Sequence, residues 1–546
     1  MEREELHRRV LLLKEKLEAG KIHIADHLFQ EFRESVEKIA IAPDGMVIPE
    51  SVDAVVRGAL NAISYMADRD EWKDLISLKD IQNSYFVRVE HTFGQPYEMM
   101  KKAGVVPSKF AAWFASDESR VKTFIEVIDE FTTQIVEFWR NIADPTWIHI
   151  EDCHDTKAVF TGELFPDGHS NLASSTGIYF DTTILPDPFL KISPILQRMA
   201  AQERVEEITR LALQVLQYKD LALADIEKPI IAILPDRQRL DENYESLINL
   251  FAEHDTLLYG NSIFEKNYSE VNELLEFLRS FKDAQSISAL IKDPKRMIFS
   301  TEWDGDLSIQ INRYIQEQGQ KIGLASPGEA VFVNMFSRFA QANNAFQRSA
   351  NLRGTPVIRA ETSWAWYNIM LRENSKTLDE QGLKNLHISR ALQSTVQNEI
   401  SWLGNVPIDA LIQIRKSDAL DEIREILGSG LSEIIDTRPN NFFRTGDRVL
   451  ENIQGAFTAH EAKIQQLRAK KWKFAGRDIG SFLVFGGIEL AAAITGTPTF
   501  GAVATVANLT GLIPNAKDVK EKFQALKKEQ SEVTNTGVGI LFNAKH

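Results

Sequence analysis

The 546-residue chain has a single cysteine, Cys153, so no internal disulfide can staple it. It must rely on buried apolar cores, as expected in a reducing compartment. The first residues, Met1-Glu-Arg-Glu-Glu-Leu-His7, lack the apolar run of a signal peptide, and a cytoplasmic protein with at most peripheral membrane contact is expected. The sequence has no GxxxxGK[ST] phosphate loop, no GxGxxG and no GxSxG elbow. Mononucleotide-loop, dinucleotide-linked and serine-hydrolase chemistries thus lose their usual signatures. Neither a CxxC pair nor HExxH occurs, which withdraws support from a zinc site. No solenoid-length repeat and no low-complexity run is present.

What the chain does have is apolar content of 44%, charged content of 25%, 9 Trp and 31 Phe, the composition of a folded globular protein. Its length exceeds one ordinary core, so about two to four domains are expected. The net charge of −15 is unevenly placed. From Arg438 to His546 there are 15 Lys/Arg against 9 Asp/Glu, whereas residues 1–437 carry 47 against 68. The acidic body repels phosphate backbones, so broad nucleic-acid binding is disfavoured. A basic tail is where an anionic partner would dock.

Apolar residues recur at helical spacing in Leu11, Leu12, Leu13 and Leu17, and again from Phe124 through Phe138. Ser51, after Pro49, is placed to cap a helix through Val52, Val56 and Leu60, and Pro107-Ser108 opens another. Near Asp144-Pro145 short apolar runs bounded by Asp, Gly and Pro begin. Strands are predicted over Thr176–Asp181, Lys228–Asp236 and Arg296–Thr301, separated by helices over 202–223, 244–253 and 269–281. Gly354-Thr-Pro356 and Asp304-Gly305 read as turns, and Trp364, Trp366 and Tyr367 as core or interface. The expected fold is mainly α with a central α/β region. Its parts are a helical N-terminal domain (1–143), an α/β region (144–326), a helical extension (327–436) and a basic helical module (437–546).

Ligands of open α/β sheets bind beyond the carboxyl ends of strands. Asp181, Asp236, Asp304 and Asp306 would each follow such an end if the strands form as predicted. Converging there, they would hold Mg²⁺ or Mn²⁺ for phosphoester chemistry, because hard cations prefer oxygen ligands. The segment Tyr179-Phe-Asp-Thr-Thr183 resembles the first strand of PIN-type nucleases, an apolar strand ending in Asp followed by Thr; it lacks the second Asp of a DxDxT motif. His149, Asp152, His154 and Asp155, with His169 further on, form the densest His/Asp grouping, equally readable as a polar turn. Arg359 and Glu361 are close enough in sequence to pair.

One segment stands apart. Residues 479–513 carry a single charge, Glu489, and are broken by Gly496-Thr-Pro498 into halves of 17 and 15 residues. As helices these would be roughly 22 to 26 Å long, short of a hydrocarbon core of about 30 Å. Phe482, Phe485, Gly487, Ala491, Phe500 and Leu509 supply apolar and small faces. Lys470, Lys471, Lys473 and Arg477 precede them and Lys517 and Lys520 follow, as for a hairpin entering from a cytoplasmic face. The functional expectation is an interaction or effector protein whose apolar hairpin packs, self-assembles, binds a protein partner or touches an anionic membrane. Its rival is a metal-dependent hydrolase, a phosphoesterase or nuclease, built on the four aspartates.

Overall fold

A computed structural model describes residues 3–18, 26–53, 75–319 without 154, 169, 170 and 241, 326–373, 384–390 and 406–431, with scattered residues elsewhere. The chain divides into two compact units, Met1–Ser84 with Phe138–Cys153, and Tyr85–Glu137 with His154–His546.

In the first unit α1 (Arg3–Glu18) and α2 (Asp26–Glu37) bury Leu6, Val10, Leu13, Phe32 and Val36 together with Val47, Val52 and Val56. Each such side chain stabilises by about 1.5–3 kcal/mol when fully removed from water. Of the expected run, Leu13 is buried, Leu12 and Leu17 pack against this core and Leu11 is exposed. The expected cap did not form: Ser51 lies in a 3₁₀ turn begun by Pro49, where its Oγ accepts from the amide of Ala40 at 3.0 Å. Asp53 caps instead, its carboxylate accepting from the Val56 amide at 2.8 Å.

Three helices follow along the chain, α3 (Leu78–Ala103), α4 (Pro107–Ala115) and α5 (Glu118–Glu151). Helix α5 continues through Pro145, where the sequence pattern had suggested a change.

The second unit is built on four parallel strands, β1 (Lys157–Phe160), β2 (Thr182–Pro186), β3 (Ile231–Leu234) and β4 (Thr355–Val357), in the order β3-β2-β1-β4. All residues of the four strands are buried. Helices α6 (Pro188–Leu196), α7 (Ala201–Leu216), α8 (Glu242–Phe264), α9 (Pro327–Asn351) and α10 (Glu361–Glu373) intervene or follow, then α11 (Ile408–Lys416) and α12 (Leu420–Gly428). The architecture is mainly α with a central α/β region, as expected.

Only β3 falls inside a predicted strand. Thr176–Asp181 ends a short helix and turns, and β2 starts one residue after Asp181. Arg296–Thr301 does alternate, burying Met297 and Phe299, but side chains take its carbonyls: Asn334 and Trp366 donate to Ile298 O and Arg338 donates to Phe299 O. Gly354 is no turn but the lead into β4; a Cβ there would lie 2.6 Å from Val159 Cγ2 and 3.1 Å from Lys157 O. Pro356 is tolerated because β4 is an edge strand, where a missing N–H matters least.

Below the sheet lies an aromatic core in which the rings of Tyr259, Phe339 and Trp366 meet edge to face. Trp366 and Tyr367 are fully buried, and Trp364 stacks on Tyr367. A short antiparallel pair, β5 (Trp472–Phe474) with β6 (Arg477–Ile479), contains Lys473 and Arg477. Lys470, Lys471, Lys517, Lys520, Phe482, Phe485, Gly487, Ala491, Phe500 and Leu509 lie outside the described residues. Among the described residues no helix is long and apolar enough to cross a membrane.

Candidate functional site

Successive strands step outward from β1 to β2 to β3, and the chain then returns to place β4 on the other side of β1. Such a reversal makes the carboxyl ends of β1 and β4 the expected ligand crevice of an open parallel sheet. Four short segments meet along this edge: Thr161-Gly162-Glu163 after β1, Asp187 after β2, Asp236 after β3 and Ile358-Arg359-Ala360 after β4.

Gly162 adopts φ +84°, a conformation open to glycine, and a Cβ there would come within 2.9 Å of Ile358 Cγ2. Its carbonyl accepts from Gln341 Nε2 at 2.6 Å and Ser363 Oγ at 3.0 Å. The Ala360 amide donates to Glu163 Oε1 at 2.8 Å. Burial raises the Glu163 carboxyl above its ordinary value, with Ala360 and Arg359 pulling the other way. Asp187 caps α6, so its carboxylate already occupies the N-terminus of that helix.

The cations are placed differently. Lys191, on the first turns of α6, donates from Nζ to the Glu163 carbonyl at 2.8 Å. Burial lowers its affinity for a proton, Asp236 and Glu163 act against that, and Arg348 and Arg239 act with it. Arg348, from α9, is 3% exposed, and neither its Nε nor its Nη2 has a hydrogen-bond partner. Burial depresses this guanidinium too, with only Asp236 and the Tyr244 phenol acting to hold its charge. A buried cation, Arg348, and a half-buried one, Lys191, therefore share the field of one nearby carboxylate, Asp236, which is itself occupied in capping the turn Arg237–Arg239 through the Gln238 amide at 3.1 Å. Tyr244, Asn344 and Gln238 form a polar chain beside them, Asn344 Nδ2 donating to Gln238 Oε1 at 3.0 Å. Burial, with Asp236 adding, pushes the Tyr244 phenol up to about 12.

No family model, no curated protein and no solved structure matches this chain. The site must therefore be read from its own chemistry.

Of the four aspartates singled out in sequence, Asp236 follows the carboxyl end of a strand, β3. Asp181 precedes β2 and so lies at the amino edge. From the register Thr183 to Ile231, it is about seven residues, roughly 20 Å, from the level of Asp236 at ~3.3 Å per residue. Its carboxylate receives Arg424 Nη2 at 2.6 Å, Thr156 Oγ1 at 2.7 Å and the Thr156 amide at 3.0 Å. Burial would raise Asp181, but Thr156 and Arg424 outweigh it and hold the carboxyl below the usual range. The likeness of Tyr179–Thr183 to a strand ending in Asp fails for the same reason: the strand comes after the Asp. Asp304 is exposed, and Asp306, also exposed, caps the helix Leu307–Tyr314. Among the described residues no three His, Cys, Asp or Glu side chains group as metal ligands.

The His/Asp grouping is also dispersed. His149 Nε2 lies 2.7 Å from Ile76 O, Asp152 pairs with Arg69 and Lys73, and Asp155 accepts from Lys228 at 2.6 Å. His154 and His169 lie outside the described residues. Arg359 and Glu361 do not pair with each other: Arg359 meets Asp167 at 3.4 Å and Glu361 meets Arg390 at 2.5 Å. Sequence reading passed over Lys191 and Arg348 because nothing in their spacing sets them apart, and Arg348 shares α9 with Arg338. The usable signal was a lone Lys just past Asp187-Pro188.

Proposed function

We propose that the second unit binds a small phosphate-bearing molecule at the carboxyl edge of its parallel sheet, through Arg348 and Arg239. The observation that carries this is the buried guanidinium of Arg348, with two nitrogens lacking partners. A buried cation without a bonded counter-charge costs several kcal/mol, and an anion accepting from its planar fork removes that cost. A dianion suits this edge better than a carboxylate because a second guanidinium, Arg239, acts on the same region.

Calorimetric titration of the full chain with inorganic phosphate and with sn-glycerol 3-phosphate tests the reading. Arg348→Met should weaken either ligand by tenfold or more, equivalent to about 1.4 kcal/mol. Equal affinity for wild type and variant, or no heat at millimolar ligand, would refute it.

The hydrolase reading needs Asp181, Asp236, Asp304 and Asp306 on a shared Mg²⁺ or Mn²⁺, and the separation of Asp181 from Asp236 leaves it with less support than anion binding. The basic C-terminal segment supports a separate proposal from sequence, that 479–513 serves assembly, a protein partner or an anionic membrane surface. Its test is vesicle co-sedimentation with and without anionic lipid, beside a 479–513 deletion shown by circular dichroism to remain folded.

A further inference from the structure

The geometry points to Lys191 as a reactive amine that forms an imine with a phosphorylated aldehyde or ketone held by Arg348. This rests on the anion-binding reading and adds to it a substrate class and a covalent step. Three features of one edge carry it. Lys191 Nζ is held by its 2.8 Å bond to the Glu163 carbonyl, in the segment that follows β1. Arg348, buried and unpartnered at Nε and Nη2, is near enough for its charge to be felt at Lys191. The Glu163 carboxyl shares the same surroundings and is felt there too.

The groups facing Lys191 are Asp236, Arg348, Arg239 and Glu163, and those facing Glu163 are Arg359 and Asp167. Burial moves the lysine down and the glutamate up, so both approach neutrality from opposite sides. A lysine desolvated beside another cation is the usual setting for a nucleophilic amine. A carboxyl raised by burial is the usual setting for a proton donor.

The step balances without any further reagent. The neutral Lys191 amine attacks the carbonyl carbon to give a carbinolamine, and Glu163 supplies a proton to the departing hydroxyl. Loss of the remaining amine hydrogen to the Glu163 carboxylate restores it, so the carbonyl oxygen leaves as water and a C=N bond replaces C=O. The phosphate stays on Arg348, which holds the carbonyl carbon against Nζ and raises its effective concentration.

The test treats full-length protein with glyceraldehyde 3-phosphate and cyanoborohydride and maps the reduced adducts by peptide mass spectrometry. Burial favours the neutral amine at Lys191, so Lys191 should be modified ahead of exposed lysines. Excess inorganic phosphate and Arg348→Met should both suppress the adduct. Lys191→Arg should abolish it in a variant that circular dichroism shows to be folded. Binding of sn-glycerol 3-phosphate to wild type with no adduct at Lys191 overturns the imine and leaves the anion site standing. An adduct at Lys191 that is indifferent to phosphate and to Arg348→Met overturns it too, since the amine would then act alone. Absence of both binding and adduct removes both readings together.

Discussion

The two edges of the sheet use the same kinds of residue to opposite ends. At the amino edge Arg424 reaches Asp181, the Thr156 hydroxyl and the Tyr179 carbonyl, the last at 2.7 Å, and Asp181 also takes the Thr156 amide. Arg415, from α11, adds donations to the carbonyls of Gly177 and Phe180, and burial pushes it down to about 10. At the carboxyl edge Arg348 is more deeply buried and yet bonds through neither Nε nor Nη2. A guanidinium that meets carbonyls and a carboxylate ties segments of chain together, here α11 and α12 to the residues before β2. A guanidinium that meets them only through space, as Arg348 does, ties no segment of chain by a hydrogen bond from Nε or Nη2.

The largest effects follow from breaking that contrast at its two arginines. Arg424→Met leaves a mostly buried Asp181 without its cation, and a loss of about 3 kcal/mol is expected from unpairing such a carboxylate. Arg348→Met removes a charge that bonds to little and replaces it with a side chain suited to an apolar site, so stability should change by less than about 1 kcal/mol or rise. Urea denaturation of the two variants reads this directly. Equal destabilisation would erase the distinction between a tie and a site. Phosphate titration sharpens it in the other direction: Arg348→Met should lose affinity, and Arg424→Met, under conditions where it remains folded, should keep it.

A smaller effect is expected at Gly162. With φ at +84° and Ile358 Cγ2 in the way, Gly162→Ala should cost about 1–3 kcal/mol of backbone strain. Because the Gly162 carbonyl ties Gln341 and Ser363 to the end of β1, the variant should also weaken phosphate binding. Unchanged thermal stability would show that the turn relaxes freely and does not set the crevice.

How much of this was legible in the sequence depends on which force shaped each element. Helices α1, α5, α7 and α8 follow their apolar spacing because one face is buried and the other wet. The strand β3 was visible because Pro229 and Pro235 bracket an unbroken apolar run. Strands β1 and β4 were not: they are four and three residues long, and what holds them is pairing between residues some two hundred positions apart, as in Ala158 with Thr355. The displacement of Asp181 from the end of a strand to the start of one came from the same source. Tyr179 and Phe180 are buried by a turn against later helices, so their apolarity mimicked a strand that begins only at Thr182. Asp236 was placed correctly because its strand was. Lys191 and Arg348 carry no sequence pattern, since what distinguishes them is the Glu163 carbonyl that Lys191 meets and the burial of Arg348 with two nitrogens unbonded.

The last way to separate the edges is pH. Asp181 is held below the ordinary carboxylate range in the folded chain, so across that window the unfolded chain binds more protons, and stability rises with pH. The contribution is complete above the unfolded value, about 3.9 for an aspartate, and is lost as pH falls through the lower folded value. Denaturation midpoints measured from pH 7 down to 3 should therefore fall below about pH 4, with part of that fall belonging to the Arg424–Asp181 tie. Arg424→Met should start lower and decline less steeply over the same interval, whereas Arg348→Met should run parallel to wild type. If the two variants showed the same acid limb, the amino-edge pair would contribute no more to holding the chain together than the arginine at the other edge, and the assignment of one edge to structure and the other to binding would have to be given up.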